Sequence, residues 1–386
     1  MSDPVKIVIA SSDFCSPSET FVRRHADHLF GGRTAILSFE PVDCAAPGRP
    51  VHVASRAGLG ERLLGPLLGP GASPSARRRD RALAAFLRET GAAAVMCEFG
   101  YVATKIARPV AEAGVPVFCY FRGADASKRL RNAGYVAALR DVFPHLSGVF
   151  AVSRFLVDRL AAVGLTHPET VVIPSGTDTA ALTPGETEPA HILSVGRMVP
   201  KKDYATALAA FARLAPRHPD LRWTILGTGP MEHDVRAQAT AFGITDRIRF
   251  EGVADHGRVL HLMRHATAYV QAFRTAPDGD TEGMPSAVQE AMAAGRAIVT
   301  TDHAGVPEHI RDGVTGFLAA EGDVDAFADR LDRVLSDAAL RDRLGAAARA
   351  HAMAELDYRD LYAKAEAFIE ARITPWAGGR DAGDGP

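Results

Sequence analysis

Two carboxylates eight residues apart, Glu282 and Glu290, frame the segment Glu282-Gly-Met-Pro-Ser-Ala-Val-Gln-Glu290. Gly283 and Pro285 mark a helix start, with Pro285 suited to the first helical turn. Glu282 then precedes the helix, and Glu290 lies about a turn and a half inside it. The free N–H groups at Ser286 and the positive end of the helix dipole make a site for phosphate or sugar oxygens. A carboxylate before such a terminus can hold sugar hydroxyls, and one inside can reach ribose hydroxyls. Read alone, Glu282 is a helix-start charge and Glu290 an exposed helix residue. The surrounding motifs decide.

The apolar run 190–195 is followed by Gly196, Arg197, Lys201 and Lys202. Arginine forks onto phosphate oxygens and lysine supplies point charge, so the set reads as a diphosphate clamp. Two solvated lysines before a helix is a fair reading of Lys201 and a poor one of the set. Leu226-Gly227-Thr-Gly229-Pro230 follows a further apolar run. Glu232 stands where a third glycine belongs, so no dinucleotide fingerprint is met, although the turn lets backbone approach a nucleotide.

These loops hang on short apolar runs alternating with helix-patterned stretches. Strands are expected at 5–10, 34–39, 51–54, 93–98, 116–121, 148–152 and 170–173, and in a second series at 190–195, 221–226, 247–250, 266–272, 296–300 and 316–319. Continuous apolar runs are the mark of parallel strands buried on both faces. The class is therefore α/β, with two doubly wound sheets joined near 182–189, where Thr183, Pro184, Gly185 and Pro189 interrupt the pattern. A length of 386 residues accommodates two such domains.

Net charge is −2, which excludes a nucleic-acid binder by charge alone. Residues 1–185 carry 21 Lys+Arg against 16 Asp+Glu, and the remainder 23 against 30, so the first half is mildly basic. No disulfide or metal framework follows from Cys15, Cys44, Cys97 and Cys119, of which Cys97 and Cys119 read as buried free thiols. No signal peptide or membrane-spanning run is expected, and the chain reads as soluble and cytoplasmic. Arg56–Ser75, leading into Arg77, Arg78, Arg79 and Arg81, reads either as a surface loop or as a basic, partly apolar arm for a membrane surface or anionic acceptor.

In this order the motifs resemble those of retaining glycosyltransferases of family 4, of GT-B architecture, over nearly the whole chain. They are Ser194-Val-Gly-Arg-Met-Val-Pro-Lys-Lys-Asp203, Leu226-Gly-Thr-Gly-Pro230, Phe250-Glu-Gly252, Glu282-Gly-Met-Pro, Gln289-Glu-Ala-Met-Ala293, Gly305-Val-Pro-Glu308 and Asp312-Gly-Val-Thr-Gly-Phe-Leu318. Ser18-Glu19-Thr-Phe-Val22 resembles the opening of exopolysaccharide and colanic-acid-type members.

The resemblance implies two Rossmann-like domains facing a cleft. Residues 1–185 would form the acceptor side and 186–354 the donor side. Residues 355–373 would form a helix crossing back to the first domain, and 374–386 a disordered tail. It implies donor-diphosphate binding by Arg197 and Lys202, beside Gly196 and Gly227, and a ribose contact by Glu290. Glu282 would lie near the donor sugar, with Gly283, Met284, Pro285 and Ser286 lining the loop. Ser18, Glu19, Arg122 and Asp125 fall on the acceptor side. Members commonly carry His-Gly-x-Asp where this chain has Arg122-Gly-Ala-Asp125. Arg122 cannot serve as a general base, and with Lys128, Arg129 and Arg131 nearby it is expected to hold an anionic group or to pair with Asp125. Asp278-Gly-Asp280 resembles the metal-binding Asp-x-Asp of another glycosyltransferase architecture, but the basic clamp makes a metal unnecessary.

The expected activity is metal-independent, retaining hexosyl transfer from a nucleoside-diphosphate sugar to a sugar, lipid-linked or small-molecule acceptor, without a cofactor. Peripheral membrane contact is compatible with it. A sugar-nucleotide-binding protein without transferase activity, and a nicotinamide dehydrogenase lacking the full glycine fingerprint, are the rival readings.

Overall fold

The structure, a computed structural model, describes residues 5–16, 19–54 and 74–373. Ser18, most of Arg56–Ser75 and the tail 374–386 lie outside the described residues.

The first seven apolar runs form one parallel sheet. Its strands are β1 (Ile7–Ser11), β2 (Thr34–Ser38), β3 (Val51–Val53), β4 (Ala94–Glu98), β5 (Val117–Phe121), β6 (Gly148–Ala151) and β7 (Thr170–Val172), in the order β3-β2-β1-β4-β5-β6-β7. The second series forms a parallel sheet of β8 (His191–Val195), β9 (Arg222–Leu226), β10 (Ile248–Gly252), β11 (Ala268–Gln271), β12 (Ala297–Thr301) and β13 (Phe317–Ala319), in the order β10-β9-β8-β11-β12-β13. Every residue of β1, β2, β4, β5 and β12 is buried, which is why these runs show no polar alternation. β5 begins at Val117 and not at Pro116, whose nitrogen cannot donate to a ladder.

Helices of the first domain are α1 (Thr20–His28), α2 (Pro74–Thr90), α3 (Gly100–Glu112), α4 (Ala133–Val142) and α5 (Arg154–Ala161). The second carries α6 (Tyr204–Leu214), α7 (Glu232–Ala241), α8 (His256–His265), α9 (Ser286–Ala293), α10 (Val324–Ser336) and α11 (Ala338–Glu355). In both sheets the order reverses beside the first strand, placing a ligand crevice at the carboxyl ends of β1 and β4 and of β8 and β11.

After α11 the chain returns to the first domain. Asp357 bridges to Thr177, and α12 (Tyr358–Glu370) lays Phe368 against Phe118 and Phe150, with ring centroids 6.2 and 5.0 Å away. Glu366 accepts the Phe30 N–H at 2.6 Å. The second domain is therefore joined to the first at both of its chain ends, by the linker before β8 and by the passage from α11 to α12.

One expectation is corrected. Cys15 and Cys44 are disulfide-bonded, with Cα atoms 5.8 Å apart. Their spacing of 29 residues gives no local signal. They meet because β1 and β2 are parallel neighbours and both cysteines lie in loops beyond the strands' carboxyl ends. Cys97 and Cys119 are buried free thiols paired in register on β4 and β5.

Candidate active site

The clamp loop leaves β8 at Gly196. A Cβ there would lie 2.9 Å from Lys202 Cε, so only glycine lets the lysine stem fold back under the strand end. The Leu226-Gly-Thr-Gly229 turn braces this loop from behind. A Cβ on Gly227 would lie 2.2 Å from Gly196 O and one on Gly229 2.4 Å from Met198 O, and Met198 N donates to Thr228 O at 2.9 Å. The two glycines serve loop-on-loop packing, which accounts for the missing third.

Lys202 ends a short turn, Pro200–Lys202, and is 8% exposed. Its carbonyl accepts from Gln271 Nε2 at 2.8 Å, and its Nζ lies 4.7 Å from the Phe273 ring centroid. That Nζ is 3.2 Å from Glu282 Oε1. Lys201 is not the solvated lysine that one reading allowed. Its Nζ is 3.4 Å from Asp280 Oδ1 and 3.8 Å from Glu282 Oε2, and it donates to Thr281 O at 3.2 Å. Burial pushes the Glu282 carboxyl up, but Lys201 and Lys202 overcome this and hold it at about 2. Burial also lowers Lys202, against the pull of Glu282, with Lys201 and Arg197 adding repulsion. Arg197 is exposed, with no ion pair among the described residues. The site thus holds three cations against Glu282 and Asp280, poised for added negative charge.

His303 was not foreseen from sequence. Its Nε2 accepts the Glu282 N–H at 3.1 Å, while Nδ1 faces Glu321 Oε1 at 2.5 Å, so Glu321 fixes the tautomer that pins the Glu282 backbone. Its place two residues before Gly305-Val-Pro-Glu308 was the available signal.

Helix α9 starts at Ser286, with Pro285 as its N-cap, one residue before the expected first turn. Proline offers no capping side chain, so the helix-start N–H groups receive no side-chain cap. Glu290 is 8% exposed, which removes the exposed-helix reading. Its carboxylate accepts no hydrogen bond among the described residues, and burial raises it to about 7, with only Arg24 of α1 pulling it back. A buried acceptor without a donor is a site awaiting hydroxyl groups.

The first domain closes over this loop. A Cβ on Gly283 would lie 2.3 Å from Arg122 O, and Gly305 N donates to Gly283 O at 3.1 Å. Met284 is buried beneath, its carbonyl accepting from Gln289 Nε2 at 3.4 Å, while Gln289 Oε1 accepts the N–H of Gly176, just beyond β7, at 2.9 Å.

Arg122 requires a correction. Its guanidinium is neither open to an anion nor paired with Asp125. It reaches Glu98 at 2.7 Å through Nη2 and 2.8 Å through Nε, donates to Ser175 Oγ at 3.0 Å, and lies between the Phe21 and Tyr120 rings at 4.0 and 3.8 Å. His25 faces the other Glu98 oxygen at 2.5 Å. Burial pushes Glu98 up, but Arg122 and His25 prevail and hold it at about 2. Asp125 is consumed by the backbone, accepting N–H bonds from Gly100, Gly123 and Arg122 at 3.0, 2.9 and 3.1 Å. It shapes the turn and has no acceptor role left. Glu19 is different: Oε2 is buried without a partner among the described residues, and burial, with Glu98 adding to it, raises the carboxyl to about 7.

Asp278 and Asp280 each lie 3.5 Å from Lys128 Nζ, and Arg131 donates to Pro277 O at 2.8 Å. The Asp-x-Asp oxygens face first-domain lysine across the cleft.

Residues 183–351 match the family described as glycosyl transferases group 1. That stretch, somewhat under half of the chain, is similar to the group 1 glycosyltransferases. The matched stretch spans the clamp, Glu282, Glu290 and Glu308. WcaL of Salmonella typhimurium, named for colanic acid biosynthesis, is 31% identical over 217 residues, 55% of this chain and 53% of that protein. AmsK of Erwinia amylovora, an amylovoran biosynthesis glycosyltransferase, is 29% identical over 254 residues, 65% of this chain and 62% of that protein. The chain thus spans between half and two thirds of these relatives. HepE of Anabaena, solved with UDP and glucose, shares the fold with a TM-score of 0.79 at 17% identity, over 95% of this chain and all of that one. The chain therefore has the two-domain GT-B architecture. Among its described residues, no helix is long and apolar enough to cross a membrane.

Proposed function

We propose that this glycosyltransferase moves a hexose from a nucleoside-diphosphate sugar to a hydroxyl of a growing polysaccharide or glycolipid, with retention at the anomeric carbon. The observation that carries the reading is the Lys201–Lys202–Glu282 cluster just before the start of α9, with Glu290, unpartnered among the described residues, inside the same helix. Glu290 takes the ribose hydroxyls, and the helix-start N–H groups, Arg197 and Lys202 take the diphosphate. As the glycosidic bond breaks, charge builds on the leaving phosphate where these groups already stand. Glu282 holds the sugar hydroxyls and keeps Lys202 in place before the donor arrives.

The acceptor enters from the first-domain side, where Glu19 lies, and reaches the same face of the sugar that the diphosphate leaves. Its proton passes to the departing phosphate, so no protein nucleophile is needed. The step needs no metal, since Lys201 and Lys128 already neutralise Asp278 and Asp280. HepE, solved with UDP-glucose, supports a nucleotide-sugar donor, and WcaL and AmsK support a saccharide acceptor. A lipid-linked acceptor would bring the first domain to a membrane surface, where exposed Arg77, Arg78 and Arg81 at the start of α2 meet anionic lipid.

The binding-only reading drew its support from Arg122 as a departure from the family habit, and the pairing of Arg122 with Glu98 accounts for that residue without loss of chemistry. A thermal-shift panel of UDP-, GDP-, ADP- and dTDP-sugars identifies the donor. Transfer assays with EDTA, and NMR of the product anomer, follow. Donor binding without transfer to any saccharide or lipid-linked acceptor overturns the reading, and an inverted anomer overturns retention.

A further inference from the structure

A nucleotide sugar reaches the Glu282 loop only if the domains part, because Gly283 is sealed by Arg122 O and by Val152 Cγ2, which would lie 2.5 Å from a Cβ there. The seam is fastened beside this point by Glu308. Its Oε2 accepts the Arg154 N–H at 2.9 Å and its Oε1 the Phe155 N–H at 3.0 Å. These are the first two residues of α5, in the opposite domain. Helix α5 has no cap of its own: Ser153, at the N-cap position, makes no capping bond, and its Oγ is buried without a partner among the described residues. Ser153 is instead wedged against Gly305, whose Cβ would come within 2.6 Å of its own. The first N–H groups of a helix need an acceptor, and a carboxylate there also meets the positive end of the dipole. Here the acceptor comes from across the cleft. Glu308 stands three residues beyond Gly305, whose N–H holds Gly283 O, so cap and donor loop move together.

We propose that Glu308 is a positioning residue for transfer, capping α5 in trans only when the cleft is shut and so coupling closure to the placement of Glu282 and Gly283. Opening the cleft strands two N–H groups at the start of α5 and leaves α9's loop without its cover. Among the other contacts across the cleft, the Lys128 pairs with Asp278 and Asp280 are longer at 3.5 Å and more exposed, so salt screens them, whereas Arg131 to Pro277 O at 2.8 Å and Gly176 N to Gln289 Oε1 at 2.9 Å cap no helix start. A cap of this kind shifts an equilibrium roughly 2- to 30-fold. The kinetic consequence rests on the glycosyltransferase reading, whereas the closure itself does not.

The test uses full-length Glu308→Ala and Glu308→Gln. Hydrogen exchange at the Arg154 and Phe155 amides, small-angle scattering, free UDP and GDP affinity, and turnover are measured together. The alanine variant is expected to speed exchange at both amides, to expand the molecule, and to lower kcat roughly 2- to 30-fold. Nucleotide affinity and unfolding temperature should stay near those of the parent. Glutamine keeps one carbonyl acceptor and should recover part of the loss. Unchanged exchange with unchanged kcat overturns the proposal. So does a parallel fall in kcat, nucleotide affinity and unfolding temperature, which marks a merely structural residue. If the parent turns over no donor, exchange and scattering still decide closure, and the transferase reading alone is what falls.

Discussion

Lys202 Nζ lies 3.2 Å from Glu282 Oε1, joining the end of the β8 loop to the residue that precedes α9's first turn by four positions. Both groups are largely buried, so neither charge is tolerable without the other. Under the proposed function, donor binding is an exchange, in which phosphate oxygens take Lys202 while sugar hydroxyls take Glu282.

Replacing Lys202 or Arg197 with Ala should lower turnover roughly 10²–10³-fold, the scale of losing one charge-stabilising donor. The Lys202 variant also leaves Glu282 to Lys201 alone, and its binding of free nucleoside diphosphate should weaken. Saturating-donor kinetics check this, and near-normal turnover in either variant contradicts the clamp.

Under the proposed function, Glu290 should make nucleotide binding pH-dependent. Burial raises its folded carboxyl to about 7 from 4.5. Ribose hydroxyls donate to the ionised form, so affinity should rise as pH rises through 7 and level off above it. Glu290→Gln should flatten the profile while weakening binding by about 1–3 kcal/mol at pH 8. A raised folded value means folding favours the neutral form, so this group costs stability progressively between pH 4.5 and 7, and fully above. The glutamine variant should then be more stable at pH 8, by up to about 3 kcal/mol, and little changed at pH 4.5. Calorimetry at both pH values reads this, and equal effects at both would sink the assignment.

Arg122→Ala leaves Glu98 buried beside His25 with no permanent cation, which should cost roughly 3–5 kcal/mol of stability. Because Arg122 faces Glu98 and Ser175, the folded fraction should keep its donor affinity. Removing both charges, as in Glu98→Leu with Arg122→Met, should restore part of the loss. Denaturant melts of the two single variants and the pair give the coupling, and a well-folded Arg122→Ala with selectively lost acceptor affinity would return Arg122 to a ligand role.

The Cys15–Cys44 bond closes a loop that carries α1 and β2, so reduction should cost roughly 3–4 kcal/mol in the chain-entropy account. Cys15 lies four residues before Glu19, and under the proposed function reduction should disturb acceptor affinity more than donor affinity. Thiol titration of denatured protein should find two groups without reductant and four with it. Four without reductant would rule the pairing out.

The parallel sheets were legible because burial on both faces writes itself into each strand as a continuous apolar run, independent of what the strand pairs with. The loop that leads into α9 was legible for a similar reason. Glycine, proline and carboxylate at fixed short offsets dictate a helix start, and the chemistry of its free N–H groups is local. Whatever depends on two distant segments meeting was not written there. Arg122 carries the same side chain whether it faces an anion or Glu98, and only the adjacency of β4 and β5 selects Glu98. Cys15 finds Cys44 because β1 lies beside β2. His303 reaches Glu282, and Glu308 reaches α5, only once the second sheet is wound and the two domains have met. Spacing along the chain encodes backbone conformation over a turn or two. Partner choice across a cleft is set by how whole sheets stack, and that was decided by the tertiary structure alone.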